Sequence, residues 1–229
     1  MNMRHAFLAF VALCAGTDAS AADRLLLAGG EYADAAYYSY TGLIVTGARD
    51  QQGRGFMQRY WLDRYGYEYE GGPGLVQADV WGAEAALGYG GASTDGWWNV
   101  SLGARYTDTD LDPDDRTASA RGSQIGAKVQ AEIEHAIGPE WRVGAIASYA
   151  SQQSGYWGRV RLMHSSTPTR AVGVEFVASG NDEADSTATG LVFTASPSDS
   201  RWSATVRAGY RFQDVGDGAY GGLELGYAF

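Results

Sequence analysis

Residues 222–229 read Gly-Leu-Glu-Leu-Gly-Tyr-Ala-Phe, so Leu223, Leu225, Tyr227 and Phe229 alternate with Gly222, Glu224, Gly226 and Ala228. A period of two is that of a strand, whose successive side chains point to opposite faces. The same pattern fills 202–212, where Trp202, Ala204, Val206, Ala208, Tyr210 and Phe212 share one parity and Ser203, Thr205, Arg207, Gly209 and Arg211 the other. It recurs in Ile125, Ala127, Val129, Ala131 and Ile133 against Gly126, Lys128, Gln130, Glu132 and Glu134. It recurs again in Trp98, Val100, Leu102, Ala104 and Tyr106 against Asn99, Ser101, Gly103, Arg105 and Thr107. Fainter alternation covers 25–33, 37–47, 55–67, 77–90, 141–151, 156–164, 170–179 and 187–195. Together these make about twelve strands, each near the ~10 residues of a tilted bilayer crossing.

Composition agrees with this vocabulary. The 229 residues include 32 Gly, 15 Tyr and 7 Trp but only 5 Pro, and one domain accommodates them. After the first two dozen residues no apolar run approaches the roughly 18 that a membrane helix requires, which excludes helical spans and leaves closed barrels. With 27 acidic against 17 basic residues the formal charge is -10, which repels a phosphate backbone and excludes nucleic acid as a partner.

The N-terminus reads as an export signal. Arg4 precedes an apolar run from Ala6 to Gly16, and small residues from Thr17 to Ala22 follow it. Cleavage fits after Ala21 or Ala22, with the first preferred; residues 1–21 are then removed and 22–229 form a single barrel domain. Cys14, the only cysteine, lies within the run, and Leu13 before it does not suit a lipid-anchor site. The exported chain then has no disulfide to staple it.

Two arrangements share this alternation. A soluble sandwich or lipocalin-like barrel turns its apolar face inward, whereas an outer-membrane barrel turns it toward lipid. The signal segment, the closing Tyr-Ala-Phe and the placement of aromatics favour the second, an all-β, transmembrane, antiparallel up-and-down barrel of about twelve strands. Connections at 48–54, 92–96, 138–140, 165–169 and 196–201 are mostly tight and suit the periplasmic end, whereas 111–121 and 180–186 are longer, acidic and suit the outside. Trp98, Trp141, Trp202 and Phe229 then form an inner girdle, and Tyr106, Tyr149, Tyr210 and Phe212 an outer one. The lumen receives Glu84, Arg105, Lys128, Glu132, Glu134, Arg159, Arg161, Glu175, Arg207, Arg211 and Glu224 beside Gly, Ser and Thr.

The chain also resembles a known family, through residues 55–74 (GFMQRYWLDRYGYEYEGGPG), Trp81-Gly82 with Leu87-Gly88-Tyr89, and Gly103-Ala104-Arg105-Tyr106 leading to Asp108-Thr109-Asp110-Leu111. Arg121-Gly122-Ser123, Lys128-Val129-Gln130-Ala131-Glu132, Tyr156-Trp157-Gly158-Arg159 and the final Gly-Tyr-Ala-Phe continue it. These segments resemble the S-type (BcsS) accessory proteins of bacterial cellulose biosynthesis. The resemblance implies a non-enzymatic outer-membrane component that assists export or surface organisation of the glucan, with cellulose and other secretion components as partners beside outer-membrane lipid. It supplies no catalytic residues.

Among candidate sites, Trp61, Tyr65, Tyr67 and Tyr69 share one parity with Arg59 and Asp63, and sugars stack their C–H faces on such rings. Phe56, Tyr60 and Leu62 occupy the opposite parity, so a lipid-facing girdle or lumen packing competes for the same stripe. His135 and His164 fall at periplasmic strand ends, where the neighbouring Ser165 and Ser166 do not make a nucleophile and base. Glu132 and Glu134 lie about 6.5 Å apart along a strand, as any i, i+2 pair does. Asp108 to Asp115 opens like a calcium loop but has Pro113 at the glycine position and Ser119 at the closing glutamate, and reads as a solvated acidic loop. The sequence implies no cofactor and no metal. A small-solute channel and a lipid- or glucan-modifying enzyme remain the rivals. Conductance separates the first from a lumen plugged by Arg159, Arg161, Arg207 and Arg211 paired with Glu84, Glu132, Glu175 and Glu224.

Overall fold

The structure, a computed structural model, describes residues 23–198 and 200–229. The signal segment expected at 1–21, with Cys14, lies outside the described residues. Twelve strands follow one another: β1 (Asp23–Ala33), β2 (Ala36–Thr46), β3 (Arg54–Gly71), β4 (Gly74–Ala92), β5 (Gly96–Asp112), β6 (Gly122–Ala136), β7 (Trp141–Ala150), β8 (Gly155–Thr167), β9 (Arg170–Gly180), β10 (Asp185–Ala195), β11 (Trp202–Gln213) and β12 (Gly218–Ala228). Each pairs antiparallel with its sequence neighbours, and β12 pairs with β1 to close the barrel. Closure continues to the last residue, where Arg24 and Phe229 exchange backbone hydrogen bonds of 3.1 and 2.9 Å. Among the described residues no strand edge is left to satisfy, which is what a hydrocarbon surround demands of a sheet.

The alternation resolves with its apolar side outward. Ile125 is 75% exposed, Leu87 68% and Leu102 64%, and Val100, Val174, Leu191, Val206 and Leu223 also face out. Such a continuous apolar belt is untenable in water and is what lipid covers, so the soluble sandwich is excluded. Trp98, Trp141, Trp202 and Phe229 lie exposed near one rim and Tyr106, Tyr149, Tyr210 and Phe212 toward the other, as two girdles.

The wall is uneven. β3, β4 and β5 run 18, 19 and 17 residues, whereas β7 to β12 run 10 to 13. Their extra length rises on the outer side, where Arg64 and Asp79 form an exposed ion pair 2.5 Å apart.

Inward-facing glycines make room for large neighbours. A Cβ on Gly42 would stand 2.1 Å from the Trp61 ring, and one on Gly82 would stand 1.9 Å from Asp63 Oδ1. Trp61 therefore lies across β2, and the Asp63 carboxylate across β4, only because those positions carry no side chain.

The outer mouth is partly covered. Residues 113–121, between β5 and β6, bend over the lumen, and Asp115 is only 4% exposed. Its carboxylate accepts from the Thr117 backbone N–H at 3.0 Å and hydroxyl at 2.7 Å, and from the Tyr69 hydroxyl at 3.5 Å. Across the mouth the Ser119 N–H donates to Glu183 at 2.6 Å, and the Gln153 side-chain amide to the Ala120 carbonyl at 3.4 Å. The expectation of a fully solvated acidic loop is thus corrected at Asp115: local donors satisfy the carboxylate, and Tyr69, Val76 and Ala78 form an apolar floor beneath it. Asp114 does remain at the surface, bound by Arg121 at 2.7 Å.

Candidate functional site

Charge inside a barrel wall persists only when it is paired or wetted. On the β2–β6 side, Arg59 reaches Glu84 at 3.2 Å and Glu132 at 3.0 Å, and Lys128 meets the second oxygen of Glu84 at 2.6 Å. Arg105 grips Asp63 in two parallel bonds of 2.9 and 3.0 Å. Three cations thus face three carboxylates. On the β8–β12 side, Arg161 donates to Glu175 at 2.8 Å, and the Tyr220 hydroxyl occupies that carboxylate's other oxygen at 2.9 Å. Arg207 lies 3.2 Å from Glu31, which also receives Arg211. Glu224 accepts the Tyr40 hydroxyl. Among the described residues Arg159 makes no ion pair within 4.0 Å, and its guanidinium stands 5.5 Å from the centre of the Trp157 ring.

Of the lumen residues expected from the sequence, all but Glu134 are brought into one interior; Arg161 pairs with Glu175 within the expected set, and the other partners differ. Arg207 and Arg211 take Glu31, which the sequence reading did not select, and Glu224 takes Tyr40. Register explains the first exchange: Gly222 of β12 stands opposite both Glu31 and Arg207, so the two charged chains meet across a strand with no side chain between them. Glu134, at the rim where β1 begins, pairs with Arg142 at 2.8 Å.

Beside these charges runs an aromatic ladder. Trp61 stacks on Tyr40 with ring centres 4.7 Å apart and planes 15° apart, and Tyr40 stacks on Tyr38 at 5.3 Å. Tyr38 meets Tyr65 at 6.4 Å, Tyr65 meets Tyr67 at 6.3 Å, and Tyr67 meets Tyr69 at 6.1 Å. The Trp61 indole N–H donates to the Tyr38 hydroxyl at 3.0 Å, and the Arg59 guanidinium sits 4.3 Å from the Trp61 ring. Trp61, Tyr65 and Tyr67 thus lie on the lumen side of β3. Tyr69 is shut beneath the outer loop against Val76. Parity does not single out Tyr38 and Tyr40, because 37–40 reads Tyr-Tyr-Ser-Tyr, with tyrosine on both parities. The available signal was Gly42, which shares their parity.

A cavity of about 660 Å³ follows the ladder, from Thr46, Arg49 and Trp97 at the end where β1 begins to Asn181, Asp185 and Asp214 at the opposite rim. Arg159, Arg207 and Glu224 line its other wall. This volume is that of a ligand site rather than of a filled core.

The remaining sequence candidates stay apart. His164 lies 3.1 Å from Glu140 and edge-on to Trp141, and the Ser166 hydroxyl donates to the Arg170 carbonyl. Glu132 and Glu134 are each held in a separate ion pair, with Arg59 and with Arg142. Among the described residues no three His, Cys, Asp or Glu side chains form a metal cluster.

Residues 25–229 match the family described as cellulose biosynthesis protein BcsS. The chain belongs to that family. Nothing among the curated proteins matches it. Among solved structures it is similar to an outer membrane channel from Pseudomonas putida F1, at 11% identity and a TM-score of 0.54, covering 93% of this chain and 97% of that one. It is also similar to the translocator domain of the autotransporter NalP from Neisseria meningitidis, at 10% identity and a TM-score of 0.53, covering 99% and 95%. At such identities the likeness is one of fold, and the fold is that of outer-membrane barrels. The BcsS family membership ties this barrel to cellulose biosynthesis.

Proposed function

We propose that the protein is a non-enzymatic accessory of cellulose production in the outer membrane of a Gram-negative bacterium, exported by residues 1–21, whose lumen holds a glucan chain on its way to the surface. The observation that carries this is the ladder Trp61–Tyr40–Tyr38–Tyr65–Tyr67 along a cavity that reaches both rims. A β-glucan presents C–H faces that pack on the lumen side of such rings, and its equatorial hydroxyls meet the flanking Arg59 and Glu224. Repeated weak stacking binds a chain without fixing its register, which suits a polymer that slides. Other secretion components are partners in this reading.

Two measurements test it. Deleting the gene lowers cellulose yield, crystallinity or surface deposition, and all three unchanged would remove the cellulose role. In planar bilayers the purified barrel conducts and added cello-oligosaccharide interrupts the current. Conductance with no response to cello-oligosaccharide favours instead a small-solute channel, the reading that the length of the cavity also supports.

A further inference from the structure

Between the two rims the lumen charge is balanced on one wall and not on the other. Arg59, Arg105 and Lys128 are matched by Asp63, Glu84 and Glu132. On the opposite wall Arg161, Arg207 and Arg211 are matched against Glu175 and Glu31, and Arg159 stands in the same field with Glu224. Most of the acceptors there are already used. Glu175 is filled by Arg161 and Tyr220, both Glu31 oxygens are taken by Arg207 and Arg211, and one oxygen of Glu224 holds the Tyr40 hydroxyl. Four arginines therefore share three carboxylates, and the one left without an ion pair, Arg159, lines the cavity. Beside it, Arg161 Nη2 is buried with no hydrogen-bond partner. A guanidinium among other guanidiniums, in a wall of low dielectric, is stabilised by an anion brought to it.

We propose that Arg159 forms an anion-binding subsite in the lumen, facing the aromatic ladder, and that the cavity takes a saccharide carrying a carboxylate or phosphate in preference to a neutral one. The Trp157 ring beside the guanidinium supplies an apolar flank for the sugar that bears the charge. This goes beyond the glucan reading and does not depend on it, because the charge surplus would exist without the ladder.

Isothermal titration of the purified detergent-solubilised barrel tests the subsite with cellotetraose, an equal-length oligoglucuronate and inorganic phosphate. The acidic oligosaccharide binds about tenfold tighter than the neutral one, the increment of a charge-assisted hydrogen bond. Arg159→Gln brings the two within twofold, Arg159→Lys restores most of the difference, and Arg142→Gln at the rim leaves it unchanged. Unaltered heat-modifiable migration shows that Arg159→Gln still folds. Displacement of the oligoglucuronate by phosphate assigns the subsite to oxyanions in general, and failure to displace assigns it to a sugar carboxylate; either supports the proposal. Equal affinities in the unaltered protein, a preference that survives Arg159→Gln, or no binding of any probe overturns it. Cellotetraose binding with no acidic preference removes this proposal and leaves the glucan reading, whereas binding of the acidic probes alone does the reverse.

Discussion

Arg105 of β5 and Asp63 of β3 form a two-bond ion pair that reaches across β4, over the bare face of Gly82. Both partners are nearly fully buried, Asp63 at 4% and Arg105 at 8% exposure. Two charges in such a site are held by each other, and removing one leaves the other stranded. Arg105→Ala is expected to destabilise the barrel by about 3–5 kcal/mol, whereas replacing both partners by apolar residues of similar volume costs far less. Urea titration of the barrel in lipid vesicles measures both. Gly82→Ala is expected to act like Arg105→Ala, because its methyl would occupy the position of the Asp63 carboxylate.

Leu102 faces outward from the middle of β5 at 64% exposure. Leu102→Arg places a charge in hydrocarbon and is expected to cost about 2–4 kcal/mol if the residue lies at the midplane of the bilayer. Folding yield into vesicles and heat-modifiable gel migration report it. Insensitivity to this change would contradict the outward direction of the belt.

Trp61 joins the ladder to the charge cluster through Tyr40, Tyr38 and Arg59. Trp61→Ala is expected to weaken cello-oligosaccharide block of the channel current by about 1 kcal/mol, roughly fivefold in affinity. Trp202→Ala, which changes only the outer belt, leaves the block constant unaffected.

The outer loop carries its own pH dependence. The Thr117 hydroxyl, then its backbone N–H, holds the Asp115 carboxyl below the usual carboxylate range, and Arg121 does the same for Asp114. A lowered folded-state pKa means that these contacts contribute in full above the unfolded value of about 3.9 and are lost as the pH falls through the folded one. Amide exchange at Thr117, corrected for intrinsic rates, is expected to stay protected from neutral pH down to about pH 4 and to lose protection below it. Asp115→Asn weakens the same protection at neutral pH, and unchanged exchange in that variant would show that Asp115 does not hold the loop.

The legible part of the site followed from parity. Glu84, Lys128, Arg161 and Arg207 are on the face opposite Ala83, Val129, Val160 and Val206, and each lies in the lumen. β3 was harder, since Trp61 and Tyr65 oppose Phe56, Tyr60 and Leu62 and both sets are apolar. Only the register, with Trp61 opposite Gly42 on one side and Glu84 on the other, decides which set is inside. Glu31 is hidden because, past Asp23 and Arg24 at its start, β1 carries no other charge among Leu, Ala, Gly and Tyr, and so has no alternating polar face.

What the sequence determined by itself is local and repeated. The alternation in 222–229 and its counterparts requires strands, the outer-membrane signals around them choose lipid for the apolar side, and an even count returns both termini to one end. What the tertiary structure decided is which charges meet: Arg207 with Glu31, Tyr40 with Glu224 across 184 residues of chain, and Arg159 with no carboxylate to itself. The physical reason is that a side chain's face depends on its neighbours along the strand, while its partner depends on the stagger of strands that touch only when the barrel closes.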